Sequence, residues 1–352
     1  MSHPFAVLLL PIAWLYAGVL GVRNWLYNTG LKPSTTFPVP VIGVGNLRVG
    51  GTGKTPHVAW LVAQLLAKGQ RPAILSRGYG RRTHGYRLAT PADTAATLGD
   101  EPLQQYQTFA GCVPVAVAED RRLGLTQLLA LPVPPTVVVL DDAYQHRRVR
   151  PAFNILLTEQ QQPFYTDYVL PAGRLRESRG GARRADVVIV TKCEPLLSAE
   201  RRQAITRQVR RYTRPGVPVL FSAYRYGAPV AVGGAGSPPV AGEVVLLTGI
   251  AQPAPLRAYL AHAGYTVTHH AAFPDHHAFT ADELRQVAAQ LRPGQSVFTT
   301  QKDAARLQDP VLLPLVADWS LFYIPIDVQF LADGHARLLE LLTPAFQPQA
   351  VV

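Results

Sequence analysis

Gly45-Asn46-Leu47-Arg48-Val49-Gly50-Gly51-Thr52-Gly53-Lys54-Thr55-Pro56 follows the apolar run Val41–Val44 and precedes a stretch with apolar residues at Val58, Leu61, Val62, Leu65 and Leu66. A strand, a glycine-rich turn and an amphipathic helix in that order decide the fold class. Glycines let backbone N–H groups close on phosphate oxygens, and the helix start adds a favourable dipole. The pattern predicts that Arg48, Val49, Gly50, Gly51, Thr52, Gly53, Lys54 and Thr55 cradle a nucleoside triphosphate. Lys54 then bridges its β- and γ-phosphates, and Thr55 ligates Mg²⁺. Arg48 stands where the general pattern has its first glycine.

Working outward, short β-branched runs alternate with helical stretches at Pro72–Ser76, Pro114–Ala118, Thr136–Leu140, Phe153–Leu157 and Asp186–Thr191. This alternation predicts βαβ units and a mostly parallel sheet flanked by helices, the P-loop NTPase type of α/β fold. Thr136–Leu140 runs into Asp141-Asp142, and a buried strand ending in a carboxylate is how such folds bring an acid to Mg²⁺. Asp141 is the expected ligand, and Asp142 could instead cap the next segment. From Tyr226 to Gly242 the chain turns to Gly, Pro, Ala and Val without periodicity. A second series follows at Glu243–Gly249, Tyr265–Thr268, Ser296–Thr300 and Leu321–Ile324. The expected organisation is an N-terminal apolar helix (1–32), a nucleotide-binding domain (33–225), a linker (226–242) and a smaller C-terminal α/β lobe (243–352).

From Phe5 to Val22 no residue is charged. Phe5, Leu8, Ile12, Leu15, Val19, Val22 and Leu26 share one helical face, and Trp14, Tyr16, Trp25 and Tyr27 are aromatics suited to a lipid boundary. Pro11 and the lack of a basic leader argue against a secretory signal. A membrane-interface helix is expected, with a buried core helix and a true span as alternatives.

The 352 residues carry 34 Lys+Arg against 23 Asp+Glu, a formal charge of +11, which calls for an anionic partner. Only Cys112 and Cys193 are present, too few for a disulfide framework or a Cys-rich zinc site. No nucleic-acid module or interleaved aromatic platform is present, so nucleic acid is not an expected partner.

Several polar segments remain. Ser76-Arg77-Gly78-Tyr79-Gly80-Arg81-Arg82 follows a strand at the end where α/β sheets bind ligands. Gly99-Asp100-Glu101-Pro102 opens a helix, where its carboxylates serve either as caps or in catalysis. Phe273-Pro274-Asp275-His276-His277 suits a general base or proton relay better than zinc, for which no third ligand is in view; solvated histidines behind a capping Asp275 are the plainer alternative.

In order along the chain, these segments resemble the tetraacyldisaccharide 4'-kinase family, the lipid A 4'-kinases of Gram-negative bacteria. The motifs are Val44-Gly45-Asn46-Leu47 with Gly50–Pro56, Ser76–Gly80, Gly99–Pro102, Asp141-Asp142-Ala143-Tyr144-Gln145-His146, Leu170–Gly173 with Leu175-Arg176-Glu177, Phe273–His276 and Lys302-Asp303-Ala304. The family also lacks the glycine at Arg48. Its usual Gly and Phe/Leu are Ala143 and Tyr144 here, Arg174 replaces a frequent proline and Gln301 a frequent Glu. The resemblance implies transfer of the ATP γ-phosphate to the 4'-hydroxyl of a tetraacylated disaccharide 1-phosphate, giving lipid IVA. It implies Asp100 as proton acceptor with His276 orienting it, and Mg²⁺ on Thr55, Glu101 and Asp141. It further implies Asn46, Arg77, Gln145 and Arg176 as holders of the lipid A disaccharide precursor, and a peripheral or monotopic seat on the cytoplasmic face of the inner membrane. Two other classes share parts of the pattern. Partitioning ATPases share the loop, but Val49 replaces their signature lysine. GTP-binding proteins are mimicked by Val190-Thr191-Lys192-Cys193-Glu194, with Glu194 in place of Asp.

Overall fold

The computed structural model describes residues 8–233 and 236–346; Phe5 of the expected apolar face lies outside them. Fourteen strands are seen among the described residues: β1 (Val41–Asn46), β2 (Pro72–Ser76), β3 (Arg87–Leu88), β4 (Val115–Val117), β5 (Val137–Asp141), β6 (Phe153–Glu159), β7 (Val187–Thr191), β8 (Val219–Tyr226), β9 (Val230–Ala231), β10 (Gly242–Thr248), β11 (Tyr265–Ala272), β12 (Ser296–Thr300), β13 (Ser320–Ile324) and β14 (Ile326–Phe330). They form two sheets, ordered β14-β8-β7-β6-β1-β5-β2-β4-β3 and β11-β10-β12-β13-β9. Every pairing from β8 to β4 is parallel, with β14 and β3 added antiparallel at the edges. The mixed α/β fold with a large, mostly parallel sheet is the one expected.

β1 and β5 are buried along their whole length, as near-continuous apolar runs in a sheet covered on both faces must be. Helix Lys54–Ala67 lays Val58, Leu61, Val62 and Leu65 on Ile42, Val44, Ile74 and Val139. Val44 pairs with Asp141, so the strand that feeds the glycine loop and the strand that ends in the acid finish side by side. This is the crevice at the C-terminal ends of the strands, where such sheets bind ligands.

The expected 243–352 lobe is divided in the structure. β10–β13 build the second sheet, but β14 returns to pair with β8, and helix Gly334–Leu342 buries Leu338 and Leu342 in the core of the first lobe. The expected linker also contributes a strand, since β9 pairs with β13. β13 and β14 are separated by Pro325 alone, which has no N–H to continue a ladder and so marks the change of sheet. The chain therefore crosses between lobes twice, side by side, with Gly227 N donating to Pro325 O at 3.0 Å.

The N-terminal helix Leu10–Asn28 buries only Ala13 among its residues. Leu15, Val19, Val22, Trp14 and Trp25 are all exposed, which excludes the buried-helix alternative. No helix among the described residues is long and apolar enough to cross a membrane. The helix is seated by polar bonds instead: Asn24 Nδ2 donates to Glu177 Oε2 at 3.1 Å, and Arg147 Nη1 to Asn24 O at 3.1 Å.

Candidate active site

The glycine loop is braced on each side. Gly53 has φ 86°, a left-handed conformation, and a Cβ there would collide with Tyr224 Oη. His57, one turn into the helix, bonds Gly53 O at 2.7 Å and Ser222 Oγ at 2.9 Å, and burial lowers its pKa to about 4. Thr191 Oγ1 donates to Thr52 O at 2.9 Å. Asn46 is fully buried and donates from Nδ2 to Thr52 Oγ1 at 2.6 Å. Its side chain is turned into the loop rather than outward, and it acts here as a brace. Arg48 is held by Asp167 (2.8 Å) and Gln162, so only its backbone faces the cradle of the loop. Gly50 and Gly51 at the tip are exposed.

Two adjacent carboxylates follow β5, and their surroundings differ. Asp141 is fully buried, and neither carboxylate oxygen has a hydrogen-bond partner among the described residues. Burial pushes its pKa up to about 7, the Glu101 charge adds to the rise, and Lys54 opposes it. Asp142 has φ 49° and turns the other way. Arg176 Nη1 donates to both of its oxygens, at 2.9 and 2.8 Å, and Lys54 Nζ lies 3.8 Å away. Burial works against its charge, but Lys54 and Arg176 outweigh burial and hold the carboxyl below its usual range. Asp142 is thus an ion-pair partner and not a cap. The left-handed residue of this turn is Asp142, one before the family's usual glycine, so Ala143 carries no backbone strain.

Asp141 by itself suits a cation, although among the described residues no three His, Cys, Asp or Glu side chains are gathered to hold one. A buried carboxylate with two unsatisfied oxygens costs free energy unless a cation or proton meets it. Glu101 and Thr55, the other two expected ligands, are half-buried nearby, and the Glu101 charge is felt at Asp141. Gln105 Nε2 donates to Thr55 O at 2.9 Å, fixing helix Asp100–Thr108, and with it Glu101, against the start of the loop helix.

Asp100 opens that helix and meets the second lobe. His276, on the turn after β11, places Nδ1 at 2.8 Å from Asp100 Oδ2. Lys302 Nζ donates to His276 Nε2 at 3.1 Å, so the ring proton sits on Nδ1 and faces Asp100. Arg306 Nη2 reaches the same Asp100 oxygen at 2.5 Å, while its Nη1 bonds Asp303 at 2.7 Å and Gly249 O at 3.1 Å. Burial alone raises the Asp100 pKa, but hydrogen bonds from His276 and Arg306 and the charges of Arg306 and Lys302 hold it far below the usual carboxylate range. Gly78 (φ 71°) and Gly99 (φ 93°) let the Ser76–Gly80 loop press on Gly99: a Cβ on Gly99 would lie 2.8 Å from Tyr79 O. Tyr79, 77% exposed, is thereby set 6.1 Å from the His276 ring, edge to face. Arg77 is exposed on the same loop.

Gln145 donates from Nε2 to Asn46 O at 2.8 Å and to Glu177 Oε1 at 3.0 Å. Glu177 is fully buried, and Arg184 completes its partners at 2.7 Å. Gln145 and Arg176 therefore lie on the first lobe's side of the crevice, under the N-terminal helix. His277, the second histidine of its motif, is instead bound to Glu283 at 2.9 Å. Sequence reasoning missed Arg306, Lys302 as a partner of His276, and Arg121. Arg121 is 2% exposed and bonds Ala118 O at 2.8 Å. Burial lowers its pKa to about 10 against the pull of Asp142 and Asp141, so it stays ionised beneath the two acids. Each of these lies on a helix without a local signal, and Lys302 belonged to a quoted motif that carried no role.

The profile of the tetraacyldisaccharide-1-P 4'-kinase family matches residues 5–345. The chain is 42% identical over 334 residues to a protein of Cytophaga hutchinsonii named tetraacyldisaccharide 4'-kinase, covering 94% of this chain and 93% of that one. A protein of Flavobacterium johnsoniae with the same name is 41% identical over 329 residues, with 92% of each chain covered. Among solved structures, the "apo" form of LpxK from Aquifex aeolicus in complex with ATP superimposes with a TM-score of 0.77 at 30% identity, covering 97% of this chain and 99% of that chain. The chain belongs to the tetraacyldisaccharide-1-P 4'-kinase family.

Proposed function

We propose that this protein is an ATP-dependent kinase that phosphorylates the 4'-hydroxyl of tetraacyldisaccharide 1-phosphate, forming lipid IVA in lipid A biosynthesis. The observation that carries the reading is the position of helix Asp100–Thr108. It is bonded to Thr55 of the phosphate loop at one side and receives His276 and Arg306 from the second lobe at the other. Nucleotide and acceptor thus meet at one helix start.

The loop amides from Arg48 to Thr55 cradle the ATP phosphates, and Lys54 stabilises charge on the transferring group. Thr55, Glu101 and Asp141 would hold Mg²⁺, which when bound neutralises phosphate charge. Asp100 accepts the 4'-hydroxyl proton, and the Nδ1–H of His276 fixes which carboxylate face is free to do so. A carboxylate so strongly held in its charged form is a weak base. Phosphoryl transfer through a loose transition state asks for little base strength, because the hydroxyl gives up its proton late. Orientation is the larger contribution of Asp100. Arg77 and Arg176 would meet the anionic disaccharide, whereas Asn46 braces the loop through Thr52 and Gln145 holds Asn46 in turn. The exposed apolar face of helix Leu10–Asn28 supports a seat on the cytoplasmic face of the inner membrane, where the acylated acceptor would be met. The acceptor lipid and this surface are its partners.

The test is phosphate transfer from ATP in the presence of Mg²⁺ to the disaccharide precursor in detergent. Radiolabel on the 4' position is expected. Folded protein that binds ATP yet labels no disaccharide overturns the reading.

A further inference from the structure

The basic excess of this chain has one concentration that the catalytic site does not use. Residues 199–214 hold six arginines against one glutamate, a net +5 where the whole chain has +11. Helix Ala199–Arg210 buries only Val209. Along its flank Ala199, Arg202, Gln203, Thr206, Arg207 and Arg210 line a shallow concavity of about 430 Å³ that no carboxylate enters. Arg201 and Arg214, on other parts of the segment, are paired with Glu194 and Asp186, but no ion pair among the described residues engages Arg202, Arg207 or Arg210. Glu200 is the one acid within the segment, and the surplus of positive charge on this face attracts anions.

The kind of anion is indicated by what surrounds the arginines. Leu196, just before the helix, is 96% exposed, and Tyr168 is half exposed. Arg179 stacks on both Tyr168 (5.6 Å) and Tyr212 (5.8 Å), the latter two residues beyond the helix. On its other side the same loop carries Arg176, whose carbonyl lies 3.5 Å from Tyr16 Oη of the N-terminal helix. Half-buried Arg176 and Arg179 thus link the N-terminal helix to Tyr212, the residue two beyond the arginine helix. Arginines beside an exposed leucine and tyrosines with polar tips suit the headgroup layer of a bilayer.

We propose that the arginine flank of helix Ala199–Arg210, with Leu196 at its start, is a second membrane contact that binds the phosphates of anionic phospholipids. It deepens the membrane placement proposed above and rests on it. Two contacts, one apolar and one electrostatic, would fix the orientation of the crevice toward the bilayer, which a single helix leaves free to rotate.

The test uses the full chain and vesicles of phosphatidylcholine alone or with phosphatidylglycerol. For the combined variant Arg202→Ala, Arg207→Ala, Arg210→Ala, an arginine near an anionic surface is worth roughly fivefold in affinity, so about a hundredfold loss is expected on the anionic vesicles at low salt. Binding to neutral vesicles should be unchanged, and so should the thermal melt. Equal affinity of variant and wild type for anionic vesicles overturns the proposal. So does a loss that appears only with duplex DNA, which would make the flank a nucleic-acid surface. The variant Leu15→Glu, Val19→Glu tests the underlying placement separately. It should weaken binding to both kinds of vesicle, and if it does not, the N-terminal helix is not the apolar contact, whatever the arginine variant shows.

Discussion

Asp141 and Asp100 are two carboxylates of one site, and the protein treats them in opposite ways. Asp141 is enclosed within the first lobe with both oxygens unpartnered, and its pKa is raised to about 7. Asp100 sits at the seam between lobes, bonded to His276 and Arg306 and held far below the usual range. Burial raises both; the difference lies in who supplies the countercharge. At Asp100 the second lobe supplies it, from residues 176 and 206 positions away in sequence. At Asp141 Lys54 only partly offsets the rise, so the acid keeps its countercharge unfilled within the protein. Folding thus completes the surroundings of Asp100, whereas those of Asp141 stay open; under the proposed function these are the acceptor and phosphate ends.

The comparison breaks most sharply at Asp100. Asp100→Ala and His276→Ala should each lower turnover by about two to four orders of magnitude while ATP still binds, read by single-turnover kinetics and nucleotide titration. Arg306→Ala keeps both members of the pair and removes only the clamp, so a smaller loss, about tenfold, is expected. If Arg306→Ala were as damaging as Asp100→Ala, positioning by the second lobe would account for the whole effect, and Asp100 would have no role of its own in proton transfer.

How far the sequence reveals these two ends also differs. The phosphate end is contiguous: strand, glycines, Lys54 and Thr55 lie within one stretch, and the apolar run into Asp141 is readable by itself. The acceptor end is assembled from three separate segments, and only the resemblance to a family joined Asp100 to His276. Arg306 left no trace, because an arginine on a helix face looks like a solvated charge until the partner lobe is in place. The return of β14 to the first sheet was equally hidden, since Ile326–Phe330 reads as an ordinary second-lobe strand and register is a long-range choice. Asp142 is hidden for a related reason: a cap is the role its neighbours in sequence suggest, and its partner, Arg176, is 34 residues away.

At the phosphate end Asp141→Asn should cost about two orders of magnitude in Mg²⁺-dependent turnover. It also has a signature in stability. An acid whose folded pKa is about 7 holds a proton that the unfolded chain has already lost above its usual value near about 3.9. Stability from this group is therefore full below that value and falls as pH rises toward 7. Asp141→Asn should flatten that part of the curve for the metal-free protein, measured by denaturant melts from pH 4 to 8. Addition of Mg²⁺ should restore stability above pH 7 in the wild type and not in the variant. A wild-type curve with no fall in this window would mean that Asp141 is not held in its raised state.

The smallest effect expected separates acceptor from nucleotide at the seam itself. Tyr79 is exposed, with its ring at 71° to that of His276 and 6.1 Å from it, so under the proposed function it is the aromatic beside the sugar whose 4'-hydroxyl reaches Asp100. An aromatic face covering the apolar side of a pyranose contributes about 1 kcal/mol, close to tenfold in binding. Tyr79→Ala should raise KM for the disaccharide by about that factor, leave KM for ATP unmoved and change kcat little, because the contact is made equally in ground and transition states. Tyr79→Phe should restore the wild-type value, since the ring and not the hydroxyl makes the contact. An increase in KM for ATP would place Tyr79 on the nucleotide instead, and the seam between lobes would then receive the base of ATP on the side assigned here to the sugar.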